Sequence, residues 1–278
     1  MIYIVNFQPV IKWSGSKRSQ SEVIVSHMPK EINTYYEPFV GGASVLYQLL
    51  HSDIKVNNYI CSDINEDLIN LWNTIKTNPQ DLSEAYNEMW NELNYDDDID
   101  RKKDYFYNVR ERFNKERSPY DFLFLSRTCT NGLIRYNLSG KFNSSFHFSR
   151  KGINPKTLTK IIFEWSDKLN DNNVQFIHQD YSKILSSTGD FLYLDPPYAG
   201  TQGMYYGTFD YDDFWDWIRR QEGQFLLSFN GKSDRDDNTY EVPSDIYKEH
   251  YYIDSGVSSF KRIKGKGRQF VKESLYKG

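Results

Sequence analysis

The sequence predicts an α/β protein: a largely parallel sheet with helices between its strands, and a mainly helical subdomain inserted near the middle of the chain. Three observations carry this. Short runs rich in aromatic and β-branched residues recur along the 278 residues. Helical patterns fill several of the gaps between those runs, the alternation that builds a parallel sheet. And 110 residues, 64 to 173, separate the second run from the third, far more than one crossover requires.

Taken in order, TYYEPF (34–39) is the first strand, and the glycines at 41 and 42 turn the chain into a helix starting at Ala43. NYICSD (58–63) is the second strand. The inserted subdomain is expected over 67–155, so that 1–66 and 156–278 come together as the main domain. Inside the insert, DRKKDYFYNVRERFNKERSP holds seven Lys or Arg and reads as a basic helix, ahead of the polar, turn-rich TNGLIRYNLSGKFNSSFHFSRKG, which reads as a hairpin. A basic helix followed by a hairpin suits a nucleic-acid surface, and a merely solvated helix face stands beside that reading. The main domain resumes with strands at VQFIHQ (174–179), FLYLD (191–195), QFLLSF (224–229) and HYYIDS (250–255). The tail FKRIKGKGRQFVK is a second basic cluster, whose glycines suggest a loop able to follow a phosphate backbone. The acidic runs DDDID and SDRDD are expected to cap helices or sit in exposed turns.

Composition narrows the function classes. Hydrophobic content of 38% with 26% charged residues is that of a globular chain, and 17% aromatic residues leave many flat faces for packing or stacking. A net charge of -4 argues against a uniformly basic surface, though local clustering decides nucleic-acid binding. Two cysteines, Cys61 and Cys129, are too few for a disulfide framework or a Cys-rich metal site and point to a reducing compartment. No signal-peptide pattern opens the chain and no window approaches the ~18 apolar residues of a membrane span, so a cytoplasmic protein is expected, with no membrane partner and no metal.

Three motifs carry chemistry. EPFVGGASVL (37–46) runs from a strand through a glycine turn into a helix, which lets a ligand approach the backbone at the carboxyl edge of a sheet. It lacks the GK[ST] of a P-loop and the full GxGxxG of a dinucleotide site. In CSDIN, Asp63 ends the next strand, where a carboxylate can accept from ribose hydroxyls. Together the two suggest an adenosine-containing ligand, against the plainer possibility of a glycine turn and an N-cap Asp. FLYLDPPY (191–198) is sharper. Its two prolines remove backbone donors and stop the strand, leaving the Asp195 carboxylate and the Pro196 carbonyl side by side as acceptors. A planar NH2 group supplies the two matching donors. Accepting both hydrogens draws electron density onto the amine nitrogen and makes it nucleophilic, while Tyr198 offers a ring face for the base that bears it.

The motifs IKWSGSK (11–17), YYEPFVGGASVL (35–46), CSDIN (61–65), TNGLIRYNLSGKFN (130–143), HQDY (178–181) and FLYLDPPY (191–198), in that order, resemble the Dam-type, D12-class DNA adenine N6-methyltransferases. The resemblance implies S-adenosylmethionine as methyl donor, a Rossmann-like S-adenosylmethionine-dependent methyltransferase sheet of seven strands, and duplex DNA as substrate with the target adenine flipped out. It makes 67–155 the target-recognition subdomain. Residue by residue, it places Trp13 and Lys17 at the cofactor and target pocket, and Glu37, Phe39 and Gly41 at the cofactor turn, with Glu37 near the amino-acid moiety. Asp63 becomes the ribose-binding acid, and Asp180 and Tyr181 neighbours of the cofactor adenine. Asp195, Pro196 and Tyr198 become the catalytic tetrapeptide with Lys17 beside them. Asn131, Leu133, Arg135 and Asn137 approach the DNA, Arg135 being suited to bidentate contact with guanine.

Departures fall in the first motif, where Ser16 replaces a glycine, and in the hairpin. There Thr130 replaces an aromatic residue common among relatives, and Ser145 and His147 replace the Pro and Gly of FNxPFG. These leave a GATC-like target open. Rival readings are transfer to cytosine N4 or RNA adenine, and a catalytically silent DNA-binding module. The resemblance places the protein in a bacterial or phage-infected cell; a cognate restriction endonuclease and the oligomeric state are left open.

Overall fold

The computed structural model describes residues 8–198, 209–233, 239–257 and 270–278. Fifteen elements follow one another among them: α1 (Ser21–Ser26), β1 (Glu31–Glu37), α2 (Ser44–Leu50), β2 (Lys55–Asp63), α3 (Glu66–Thr77), α4 (Pro79–Leu93), α5 (Ile99–Glu116), α6 (Pro119–Thr128), α7 (Pro155–Asp171), β3 (Gln175–His178), β4 (Phe191–Leu194), α8 (Tyr211–Arg219), β5 (Gln224–Ser233), β6 (Glu249–Val257) and β7 (Phe270–Lys277). The strands form one sheet in the order β3-β2-β1-β4-β5-β7-β6. The pairs β1–β2, β1–β4 and β4–β5 are parallel, and β7 lies antiparallel between β5 and β6. The six sequence-predicted strands are all present. The seventh, β7, covers the carboxyl-terminal run FVKESLYK.

The chain divides into two compact units, one of residues 1–7, 17–64 and 179–278 and one of 8–16 and 65–178. In the first unit, β4 is the fully buried central strand: Phe191, Leu192, Tyr193 and Leu194 are all enclosed. A continuous apolar run is what a strand covered on both faces demands, and Pro196 and Pro197 end it at the site. α8 is strongly one-sided. Phe214, Trp215, Trp217 and Ile218 bury one face against Leu192, Leu194, Leu227 and Phe229, while Asp210 caps its start by accepting from the amides of Asp212 and Asp213. The glycine turn after β1 is tightly built: Gly41 has φ 47° and Ala43 φ 53°, and the helix starts at Ser44, one residue later than predicted. A left-handed alanine is a costly conformation that persists only where its surroundings fix it.

The second unit is helical. Lys102, Phe106, Val109 and Phe113 form the buried stripe of α5, spaced three or four residues apart. Its start is capped by Asp98 of the DDDID run, which accepts from the amides of Asp100 and Arg101. Phe113 stacks on Phe122 of α6 at 5.6 Å, and Trp72 of α3 meets Trp165 of α7 at 4.8 Å. Arg112 Nε donates to Asp121 Oδ2 at 2.9 Å. After α6 the chain makes the predicted hairpin, closed by antiparallel bridges Cys129–Phe146 and Tyr136–Phe142. Most of the basic run 260–272 and of the acidic run 233–237 lies outside the described residues.

Candidate active site

Where β4 ends, the tetrapeptide Asp195-Pro196-Pro197-Tyr198 is held from several sides. Tyr211, at the start of α8, donates its phenol to the Pro197 carbonyl at 2.9 Å. Beneath, the Tyr193 hydroxyl bonds Ser228 Oγ of β5 at 2.9 Å. Lys17, only 5% exposed at its side chain, places Nζ 2.8 Å from Asp195 Oδ1 and 4.9 Å from the centre of the Tyr198 ring. The sequence therefore brings three of its predicted site residues, Lys17, Asp195 and Tyr198, into one cluster.

A fourth member was not predicted. Glu273 of β7 accepts from the Tyr198 hydroxyl at 2.7 Å and lies 3.6 Å from Lys17 Nζ through the same Oε2. It is 75 positions from Tyr198 in sequence. The one sequence signal for it is an acid in the middle of a strand-like run, VKESLYK.

Electrostatics follow from burial. Asp195 is pushed up to about 6, chiefly because its surroundings exclude water, with the Lys17 ammonium holding it down and the Glu273 carboxylate adding a smaller upward push. It is thus largely ionised at neutral pH. Glu37, at the end of β1, is 3% exposed and is pushed up to about 8 by burial; the hydrogen bond from Tyr35, 2.8 Å to Oε2, opposes that rise, and the nearby Asp195 charge adds to it. Glu37 is therefore a largely neutral, enclosed carboxyl that accepts from the Tyr35 hydroxyl.

The cofactor-turn residues form a second group. Asp63 Oδ2 accepts from the Gly41 amide at 3.1 Å, and the Val40 amide donates to the Ser62 carbonyl at 3.0 Å, so the ends of β1 and β2 are tied together around the glycine turn. Asp63 is not the N-cap of α3: that position is Asn65, which accepts from the Leu68 amide at 3.0 Å, while Asp63 accepts at the turn. Phe39 faces Tyr181 at 5.6 Å, within an aromatic group that includes Phe209 and Phe214. Asp180 Oδ1 accepts from the Ser182 amide at 2.9 Å and caps the short turn at 181–183.

The remaining predicted residues belong to the second unit. Trp13 is half-buried in the segment 8–16, which Arg127 anchors by donating to the Pro9 and Val10 carbonyls. In the hairpin, Asn131 is exposed at φ 57°, Leu133 is half-buried, and Arg135 presents an exposed side chain from a backbone fixed by Ser144 and Asn143. Asn137 is exposed too, but its Oδ1 accepts from the amides of Ser139 and Lys141, both at 3.0 Å, so it shapes the turn.

Comparison with known proteins agrees with this geometry. The family model for D12 class N6 adenine-specific DNA methyltransferases matches residues 13–268. Among curated relatives, the type II methyltransferase M.MjaIII of Methanocaldococcus jannaschii is 34% identical over 206 residues, 69% of each chain. The DNA adenine methylase of Serratia marcescens is 36% identical over 196 residues, 68% of this chain and 66% of that one. The DNA adenine methylase of Escherichia coli K12 is 34% identical over 196 residues, 68% of this chain and 64% of that one. The matched region thus spans about two thirds of each relative's length. With the sheet order and the tetrapeptide site in place, the match over nearly the whole chain makes it a member of the D12 class of N6 adenine-specific DNA methyltransferases.

Proposed function

We propose that this chain transfers a methyl group from S-adenosylmethionine to the N6 amine of an adenine flipped out of duplex DNA, within a short recognition sequence. The observation that carries the reading is the Asp195 carboxylate just past the carboxyl end of β4, paired with Lys17 at 2.8 Å beside the Tyr198 ring. The residues at the glycine turn after β1 fit the cofactor: Asp63, half-exposed at the end of β2, has the acceptor chemistry for ribose hydroxyls, and the left-handed Gly41 lets a ligand approach the backbone. Phe39 and Tyr181 supply aromatic surface for its adenine, with Asp180 at the same turn. When bound, S-adenosylmethionine would supply the electrophilic methyl, the amine nitrogen gaining the N–C bond and the sulfur keeping the electron pair of the C–S bond.

The chain's own residues do the rest. Asp195 and the Pro196 carbonyl accept the two amine hydrogens, which frees the nitrogen lone pair from its ring and aims it. Tyr198 stacks on the extruded base. Once methylated the nitrogen is cationic and must release one proton, and Asp195 is the acceptor already holding that N–H. Lys17 keeps Asp195 ionised despite its burial, at the cost of a tightly held ion pair. The helical unit, with its basic α5 and its bridged hairpin, is the recognition element; Arg135 reads guanine beside the target adenine, a pattern that GATC would satisfy. Two relatives carry type II methyltransferase names, and a restriction endonuclease sharing the site is the partner which that adds to the proposal.

The test is direct. Purified protein, S-adenosylmethionine and DNA from a host without adenine methylation are incubated, and the nucleosides are analysed by mass, with cofactor binding followed by calorimetry. N6-methyladenine is expected. Methylcytosine instead, or cofactor binding with no transfer, overturns the proposal.

A further inference from the structure

We propose that Glu273 is a second, positioning carboxylate of the methyl-transfer site, one that fixes the Tyr198 ring and the Lys17 ammonium and keeps the cluster's charge negative. The inference rests on the function proposed above and adds a residue to it.

Geometry supports it first. One oxygen of Glu273 serves both the Tyr198 hydroxyl, at 2.7 Å, and Lys17 Nζ, at 3.6 Å, while Lys17 reaches Asp195 at 2.8 Å. A tyrosine held only by ring packing can rotate about its side-chain bonds. Anchored at the hydroxyl, its face stays where a base would lie. Lys17 in turn has two carboxylate partners, so when Asp195 turns its acceptor capacity to the amine, the ammonium keeps a counter-charge and need not follow.

Charge supports it second. Lys17 alone would neutralise Asp195 and leave a site indifferent to a cation. Among the described residues, one ammonium against two carboxylates leaves an excess of negative charge within a water-poor pocket, where it acts strongly. Methyl transfer places positive charge on the target nitrogen, so this excess stabilises the transition state more than the neutral amine before it. Placement on β7 suits the task, since that strand is paired on both sides, with Ser274, Leu275 and Tyr276 buried next to it, and a side chain based there moves little.

The proposal has a readout that a scaffold role would not move. Among the described residues, the groups facing Asp195 are Lys17, Glu273, Tyr198, Tyr193 of β4 and Glu37 of β1. Of these, Glu273 adds to the upward push on Asp195. Its neutralisation lowers the Asp195 pKa, so the acid limb of the rate profile, where Asp195 is protonated and stops accepting, moves to lower pH.

The experiment compares wild type with Glu273→Gln, which keeps an acceptor for Tyr198 and Lys17 but no charge, and Glu273→Ala, which keeps neither. Single-turnover methylation of unmethylated genomic DNA is measured across pH, cofactor affinity by calorimetry, and folding by thermal melting. Glu273→Gln is expected to fold, bind S-adenosylmethionine within about twofold of wild type, and transfer about 100-fold more slowly, the scale of losing one preorganised electrostatic partner. Its acid limb is expected at lower pH. Glu273→Ala is expected to be slower still. An unchanged rate in Glu273→Gln overturns the proposal, as does a slower rate with the acid limb in place. Failure of the underlying site assignment is distinguishable, since it appears as wild-type transfer by Asp195→Asn with Glu273 intact.

Discussion

Asp63 shows how one side chain is committed by its backbone setting. It closes β2 and accepts from the Gly41 amide at 3.1 Å, which ties the acid proposed to bind ribose to the left-handed turn. Asp63→Ala is expected to weaken S-adenosylmethionine binding by about 1.5 to 3 kcal/mol, the range for hydrogen bonds to a charged group, with DNA affinity in the absence of cofactor unaltered. Calorimetry and a gel-shift measurement check the two halves; unchanged cofactor affinity with weaker DNA binding contradicts the assignment. Legibility at this scale depended on sequence distance. Asp195, Pro196 and Tyr198 were readable because prolines and acceptors stand next to one another and their chemistry is local. Glu273 was not, because its partners lie far away in sequence and only the antiparallel return of β7 brings them to it. Glu37 was readable as a residue of the turn but not as a buried, largely neutral carboxyl, since that follows from its enclosure and from the Tyr35 hydrogen bond.

Elements were legible where one physical rule governed them. β4 reads as a strand because four consecutive apolar residues run up to Asp195 and its two following prolines. β7 was nearly invisible: Lys272, Glu273 and Ser274 interrupt the apolar pattern, and one of them is kept for the site rather than the strand. The hairpin was legible from its turn residues, and Asn137 accounts for that by closing the turn with its own oxygen. Arg135 projects from this bridged frame, exposed, on a backbone fixed by Ser144. Arg135→Ala is expected to cost about 1 to 3 kcal/mol at the cognate site and to relax preference at one base pair. An equal loss on cognate and unrelated duplexes, with the salt slope smaller by about one unit, makes Arg135 a phosphate contact instead.

At the scale of the whole molecule, the insert was expected over 67–155, and the helical unit as folded comprises 8–16 and 65–178. The difference is physical. Trp165 of α7 is buried against Trp72 of α3, and Arg127 draws in the carbonyls of Pro9 and Val10; neither long-range contact is written in local periodicity. No described helix is long and apolar enough to cross a membrane. The basic run along α5 is largely paired rather than bare: Arg101 meets Glu92 and Asp96, Lys102 meets Asp97, and Arg112 meets Asp121. The central claim is that Asp195 delivers an adenine amine to a methyl donor at one short DNA sequence. Long-read sequencing of DNA from a host without its own adenine methylation, expressing either the wild-type chain or Asp195→Asn at equal level, tests it most directly. The account predicts N6-methyladenine next to guanine in a single short motif with the wild type and none with Asp195→Asn; equal methylation by both, or modification of cytosine, would contradict it.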